Sequence, residues 1–432
     1  MMSAPNSFRL WDTIIIGGGA SGMFAAIHLK KIRPQSSVLV VERNSKLGKK
    51  ILITGNGRCN LSNVAASIDY YHGLDPSFVD ISLRKYSVSV IRDMFFQIDL
   101  HTMTDEFGRI YPITQNSGSV LDCLRYTLSD LGVDILCSTM VSSVFFEKGS
   151  FIIHTDKGEP IRGRTVLVAT GGACAPHTGS DGNGYDILTS LGHTCLSSMP
   201  GIVQIKTKRE WVKQLSGIRL HAEASLFLDK DCIRKQFGEL LFTDYGVSGP
   251  APLQLSSHIS RILSDENLDQ SKRLYLHIDF LPGRSLSDIC EELHNRKIKN
   301  ANRTIDTILV GLVQNRLASA LIKSAVELPL TEAISCLTDI HIGNLAERMK
   351  DSSIEVEGTM GLKEAQVTIG GALTSEFDPM TMMSIYLPGL FASGEVLDID
   401  GDCGGYNLQW AFSSACIAAD GINEYLSGKK NG

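Results

Sequence analysis

The stretch "DTIIIGGGASGMFAAIHLKKIRPQSSVLVVE", residues 12–42, decides the reading of this chain. An apolar run of β-forming residues enters a glycine turn, a helical pattern follows, and a second apolar run closes the unit. Gly17, Gly19 and Gly22 satisfy G-x-G-x-x-G between strand and helix. Gly17 permits a tight turn, Gly19 lets backbone approach a pyrophosphate, and Gly22 lets the helix pack closely on the strand. The first helical amides, at Ala20 and Ser21, then face the phosphates. Glu42 ends the second strand, twenty residues past Gly22, where a carboxylate accepts the hydroxyls of an adenosine ribose.

Composition sets wide bounds. The 432 residues, 43% hydrophobic and 20% charged, suit an ordinary globular protein of two or three domains. A formal net charge of −6 gives no overall electrostatic pull toward nucleic acid or anionic membrane. No apolar run approaches the ~20 residues of a membrane span. The N-terminal "MMSAPNSFRLWD" lacks the basic-then-apolar order of a secretory signal, so a cytoplasmic setting is expected. Ten cysteines are scattered without a C-x-x-C pair, which fits reduced thiols and no metal site.

Strand and helix patterns alternate to about residue 140, and "VSSVFFEKGSFIIHTDKG" reads as a hairpin. Short strands dominate from about 200 to 242, helical periodicity from about 284 to 350, and strands return after 365. One discontinuous α/β domain carrying an insertion follows: residues 1–198 and 361–432 as the cofactor domain, 199–257 and 345–360 as a β-barrel-like subdomain, and 258–344 as a mainly helical one. The insertion is expected to shape the substrate site.

Two distant segments select FAD over a nicotinamide dinucleotide. "VLVATGG", residues 166–172, offers close passage at Thr170, Gly171 and Gly172. "PGLFASGEVLDIDGDCGGYNLQWAF", residues 388–412, lies far beyond the first unit, where only a longer cofactor reaches. Gly394 and Glu395 end a strand, with the Glu395 carboxylate available to ribityl hydroxyls. Gly404 and Gly405 open a helix whose first amides, at Tyr406, Asn407 and Leu408, can face the flavin edge that becomes negative on reduction.

These motifs, with "GKKILITGNGRCNLSN", "ATGGACAPHTGSDGNGYDILTSLGH", "GELLFTDYGVSGP" and "AQVTIGGAL", resemble those of the BaiN/RdsA (YhiN-type, aminoacetone-oxidase-like) NAD(P)/FAD-dependent oxidoreductases. The resemblance spans the chain. It implies a glutathione-reductase-like FAD-binding Rossmann domain with an inserted β-barrel-like subdomain and a helical subdomain. It also extends the cofactor site to Arg43, Lys50, Thr54, Gly55, Gly57, Arg58, Cys59, Asn60 and Val141. The chain departs from the pattern at Ala415 and Ala419, where glycines are expected, and at Ile385, where a basic residue is common.

Catalytic residues are less legible. Cys59 reads either as a thiol facing the flavin or as a packed small residue; a redox disulfide is excluded because the fifth residue after it is Val64. His177 and His193 are candidate proton donors or structural histidines. Asp244 is a weaker catalytic candidate. "GSDGNGYD" reads as a Gly-rich turn near the flavin, and "HNRKIKNANR", residues 294–303, as a solvated basic loop or an RNA or anion contact.

The resemblance implies NAD(P)H-driven reduction of an electron-poor C=C in an enone-like small molecule or in a uracil of ribosomal RNA. With no second G-x-G-x-x-G, NAD(P)H is expected as a transient donor. Oxidation of a small amine such as aminoacetone by O2, and a flavin-stabilised RNA-binding or assembly factor, are the alternative readings. Oligomeric state is not legible.

Overall fold

The computed structural model describes residues 9–208, 211–269 and 271–428. The chain forms two compact units, one built from the described residues up to Pro200 together with Leu362 onward, the other from Gly201–Gly361.

In the first unit the opening strand Leu10–Ile16 pairs in parallel with Val38–Val41 on one side and Ile161–Val168 on the other. Val38–Val41 in turn pairs with Asp134–Leu136. Strand Ile161–Val168 serves two neighbours. Its start, Ile161–Gly163, runs antiparallel to the hairpin strand Ser150–Thr155, and its end, Val166–Val168, runs parallel to Leu390–Ala392. A strand from near the C-terminus is thereby drawn beside the first one's neighbour. The runs "TIII", "VLVV" and "TVLV" are buried throughout because a parallel sheet is covered on both faces.

The fingerprint helix Ala20–Ile32 packs on the C-terminal helix Tyr406–Leu426. Phe24, Phe95 and Phe412 meet with ring centroids 4.9–5.2 Å apart, an aromatic cluster buried between them. Ala415 and Ala419, at positions where glycines are expected, are fully buried, so small side chains keep the close approach. Ile385 is exposed.

The second unit contains a closed six-stranded barrel, in the order Ile205–Thr207, Gly246–Ser248, Asp231–Phe242, Arg219–Leu228, Leu274–Asp279 and Ser352–Thr359. Closure removes sheet edges. Within the stretch 258–344, expected as mainly helical, the expected boundary is corrected at one place, because Leu274–Asp279 is a barrel strand. Its sequence LYLHID alternates buried and half-buried positions, a period-2 signal inside an otherwise helical stretch. Helices Leu286–Lys299, Asn315–Ala325 and Asp339–Lys350 supply the rest.

The basic run, expected as a loop, is helical over residues 294–299 within Leu286–Lys299, and one of its cations is engaged. Arg296 donates to Glu292 at 2.7 and 2.9 Å and to the carbonyls of Ile308 and Val310 at 3.1 and 2.7 Å. It ties its helix to the following loop and is not a solvated cation. Lys299 and Arg303 are exposed.

Asp420, on the C-terminal helix, is held by His28 at 3.1 Å, Tyr86 at 2.6 Å and Lys85 at 2.7 Å. Burial alone would raise its carboxyl, but these three donors outweigh it and bring it down to about 2. A carboxylate lowered in the folded state stabilises above its unfolded value and loses that contribution as pH falls through the folded one. Asp420→Asn should therefore cost about 1–2 kcal/mol at neutral pH, discounted for partial exposure, with the gap closing between about pH 4 and pH 2. Parallel stability curves for the two proteins in acid denaturation would show that the network carries no charge-dependent stability.

Candidate functional site

The three fingerprint glycines occupy different environments. Gly17 has φ +105°, and a Cβ there would stand 2.4 Å from the Ala169 oxygen, so the turn lies directly on the neighbouring strand end. At Gly22 a Cβ would stand 1.9 Å from the Gly17 oxygen. Around Gly19 nothing lies within 4 Å of the Cβ position, so the protein leaves a space there that it does not itself fill. The helix begins at this point with no side-chain cap and no acidic residue in its first turn. Its open amides form an anion site of the kind a pyrophosphate takes.

Glu42 is buried. Its Oε2 accepts from the Gly18 amide at 2.8 Å, and its Oε1 accepts from the Asn44 amide and side chain at 2.7 Å each. A carboxylate oxygen accepts about two hydrogen bonds, so Oε2 retains capacity for a ribose hydroxyl. Glu42 thus also fastens the glycine turn, a structural duty its sequence position does not reveal. A pocket beside it is lined by Arg43, Thr139, Val141 and Thr170 on one side and by Gly179, Asp181 and Gly182 on the other. Arg43 is ion-paired with Asp181. The Gly-rich turn of "GSDGNGYD", expected near the flavin, therefore closes the Glu42 end; Gly179 (φ +101°) and Gly182 (φ +88°) permit its path.

The segment "TGNGRCNLSN" has left-handed backbone at Gly55, Asn56, Gly57 and Cys59, with φ between +56° and +81°. That is why it tolerates so few bulky residues. Thr54 bonds within the turn, its hydroxyl donating to the Ile51 oxygen at 2.7 Å and its oxygen accepting from the Cys59 amide at 3.0 Å. Cys59 itself is fully buried in the apolar core, and burial pushes its thiol up to about 12, against a hydrogen bond with Thr54. It is a packed residue rather than a reactive thiol. None of the ten cysteines is in a disulfide among the described residues.

The segment leads to the opening of the C-terminal helix. A Cβ on Gly405 (φ +103°) would stand 2.4 Å from the Ser62 oxygen and 2.7 Å from Asn60 Oδ1. Asn60 Oδ1 is buried without a hydrogen-bond partner. Asn63 donates to the Gly404 oxygen at 3.2 Å, and the Asn407 side chain brackets Gly401 with two 2.8 Å bonds. Tyr406 stacks on Tyr70 at 4.5 Å, and its oxygen accepts from Tyr71 at 3.0 Å. Leu408 is half-buried. Like the fingerprint helix, this one starts from a glycine with no side-chain cap and no acidic first turn.

Between the two helix starts, Ser21 and Ser393 hydroxyls meet at 2.6 Å, and a Cβ on Gly394 would press on Ser21 at 3.1 Å. The Ser21 hydroxyl is occupied there, which leaves its amide for a cofactor. Lys50 reaches Glu395 at 2.7 Å and the Cys174 thiol at 3.0 Å, and Glu395 Oε1 accepts from the Thr368 amide at 2.7 Å. Burial works against both charges, yet each outweighs it for the other: the Lys50 ammonium is held above, and the Glu395 carboxyl below, its ordinary value. Burial and the Glu395 charge push the Cys174 thiol up to about 11. Cys174 and Thr368 escaped the sequence reading because nothing in their spacing ties them to Lys50 or Glu395. Gly171 and Gly172 run beside this cluster, where Cβ atoms would stand 3.7 Å from Glu395 Oε2 and 2.2 Å from Thr368 Oγ1 respectively.

The proton-donor candidates do not join these residues. His193 is buried with Nδ1 3.0 Å from Glu376 and Nε2 2.9 Å from Ser384, stacked on Phe377 at 4.5 Å. Burial lowers it, and both ring nitrogens are engaged, so its role is structural. His177 is exposed in a 3-10 turn, its carbonyl accepting from Lys49 at 2.6 Å. Asp244 is an exposed residue in the turn between barrel strands Asp231–Phe242 and Gly246–Ser248, a common place for aspartate.

An open space at Gly19, a buried acceptor at Glu42 and an orphaned amide oxygen beside Gly405 fit a long dinucleotide with a polar, reducible end. The fold and the site define an FAD-dependent oxidoreductase. The family model for the HI0933-like protein Rossmann domain matches residues 11–421, and the chain belongs to that family. A 3-dehydro-bile acid delta(4,6)-reductase of Clostridium scindens is 34% identical over 94% of this chain and 97% of its own length. A ribosomal RNA dihydrouridine synthase of Haemophilus influenzae is 30% identical over 95% and 98%. Among solved structures, a 3-ketosteroid delta1-dehydrogenase from Sterolibacterium denitrificans matches with a TM-score of 0.50 at 12% identity, covering 97% of this chain and all of that one, a likeness of fold.

Gly19→Ala meets no protein atom and keeps an ordinary φ of −80°, so it should cost at most about 1 kcal/mol of stability as a helix-cap change. The added methyl would instead enter the cofactor's space, and FAD affinity should fall by about tenfold or more. Equal FAD affinity in fluorescence titrations of the two apoproteins would place the pyrophosphate elsewhere.

Proposed function

We propose that this protein uses NAD(P)H, through bound FAD, to reduce an electron-poor C=C conjugated to a carbonyl in a small molecule. The observation that carries the reading is the uncapped, glycine-opened start of the C-terminal helix, Gly404–Tyr406. Open amides there favour negative charge, so they stabilise a reduced, anionic ring edge over an oxidised one. FAD, when bound, supplies the hydride chemistry. Residues of this chain hold and orient it: Ala20 and Ser21 amides at the phosphates, Glu42 at the ribose, Glu395 at the ribityl chain with Lys50 keeping that carboxylate ionised, and Asn60 at the ring edge. Lys50 also balances this half-buried charge and, against desolvation, holds the Glu395 carboxyl below its ordinary value.

The names of the two relatives describe related chemistry. A delta(4,6)-reductase acting on a 3-dehydro compound, and a synthase that makes dihydrouridine, each saturate a C=C in conjugation with a carbonyl. The acidic chain, and the engagement of Arg296 inside its own unit, favour a small carbonyl compound here. Ribosomal RNA is the second reading, supported by the 30% identical relative.

Anaerobic stopped-flow reduction by NADH and by NADPH, followed by mixing with a cyclic enone or with ribosomal RNA, tests this directly. Rapid re-oxidation by the enone is expected. Re-oxidation by RNA alone would establish the second reading, and re-oxidation by neither, with fast consumption of O2, would indicate an oxidase.

A further inference from the structure

We infer that Arg58 serves the electron acceptor and not the cofactor, binding the carbonyl oxygen of the conjugated substrate. This rests on the proposed C=C reduction and names the group that recognises its substrate. Arg58 is exposed at the tip of the left-handed turn, its guanidinium 4.7 Å from the centre of the Tyr111 ring. Among the described residues its guanidinium makes one hydrogen bond, from Nε to the Gly55 oxygen, and that is long at 3.4 Å. No carboxylate pairs with it among the described residues. Arg109, the neighbouring cation, is by contrast bound to Asp105 at 2.7 Å. Arg58 therefore presents unused N–H donors in a planar fork suited to a carbonyl or an oxyanion.

Its position is fixed by a chain of contacts. Tyr111 lies 3.5 Å from the Cβ position of Gly55, and its strand, Arg109–Pro112, pairs with Ser62–Asn63, the residues that touch Gly404 and Gly405. The loop is thus anchored at the start of the C-terminal helix while its tip remains in solvent. Leu52 and Ile53 on the same turn are exposed, as is Val64, whose amide donates to the Gly108 oxygen at 2.9 Å. Exposed Leu52 and Ile53 on the same turn as a cation without a carboxylate partner among the described residues suit a flat, apolar molecule carrying a carbonyl. Left-handed backbone at a non-glycine residue such as Cys59 is strained and is retained where the surroundings demand it.

The chemistry asks for such a group. Saturating a C=C conjugated to a carbonyl adds a hydride at the β-carbon and a proton from solvent water at the α-carbon, the two electrons coming from the reduced nicotinamide, which leaves oxidised. Between these additions the carbonyl oxygen carries the negative charge. A guanidinium there binds the charged species more strongly than the ground-state ketone, which is what lowers a barrier.

The test uses 4-chlorophenol, whose phenolate mimics the enolate oxygen and perturbs the flavin spectrum on stacking against it. The FAD-loaded wild type should bind it saturably. Arg58→Met should bind it about tenfold or more weakly, at unchanged FAD content and melting temperature, and Arg58→Lys should fall between. Equal affinity in the wild type and Arg58→Met, no binding to the wild type, or loss of FAD from Arg58→Met would each overturn the inference. The titration needs no turnover, so it stands apart from enone re-oxidation, whose failure would overturn the proposed reaction instead.

Discussion

The architecture of the cofactor unit depends on the packing of its first helix against its last. Residues 20–32 and 406–426 are nearly four hundred positions apart, yet Phe24 lies 4.9 Å from Phe412, and Ser21 bonds Ser393 at 2.6 Å. Both helices open from glycines without side-chain caps. Burial of this aromatic cluster is worth several kcal/mol, since removing one such ring costs about 3–5 kcal/mol. That energy holds two uncapped helix starts in one unit, an arrangement that burial of apolar surface makes possible and that peptide dipoles make useful.

Charge is handled by the same economy of position. Lys50 and Glu395 form a half-buried pair, each favouring the other's charged form, and Cys174 and Thr368 satisfy their remaining valences. A pair of this kind is weak evidence for stability, because desolvation offsets most of its attraction. Its contribution is better sought in what it keeps in place. An ionised, hydrogen-bonded carboxylate remains beside Gly171 and Gly172, where the chain admits no side chain.

Much of this was legible in the sequence where chemistry forces a residue type. Gly17, Gly19 and Gly22 each occupy the environment that a dinucleotide turn requires, and Gly404–Gly405 announces a helix start. The barrel was legible only in part. Leu274–Asp279 alternates over six residues within a helical neighbourhood, too short a signal to outweigh its surroundings. Side-chain roles set by distant partners were not legible at all. Arg296 sits in a run that looks solvated, and only the fold brings the Ile308 and Val310 carbonyls to it. Likewise, nothing near His193 in sequence points to Glu376 or Ser384 as the partners that occupy its ring nitrogens.

The central claim is that the opening of the C-terminal helix stabilises negative charge on the reduced cofactor. The midpoint potential of the bound FAD tests it most directly, measured by anaerobic dye-equilibrated reduction and compared with free FAD under the same conditions. A potential more positive than that of free FAD, with the reduced flavin bound as its anion, is the predicted result. A potential at or below the free value would mean that the site favours the oxidised ring, and would contradict the account.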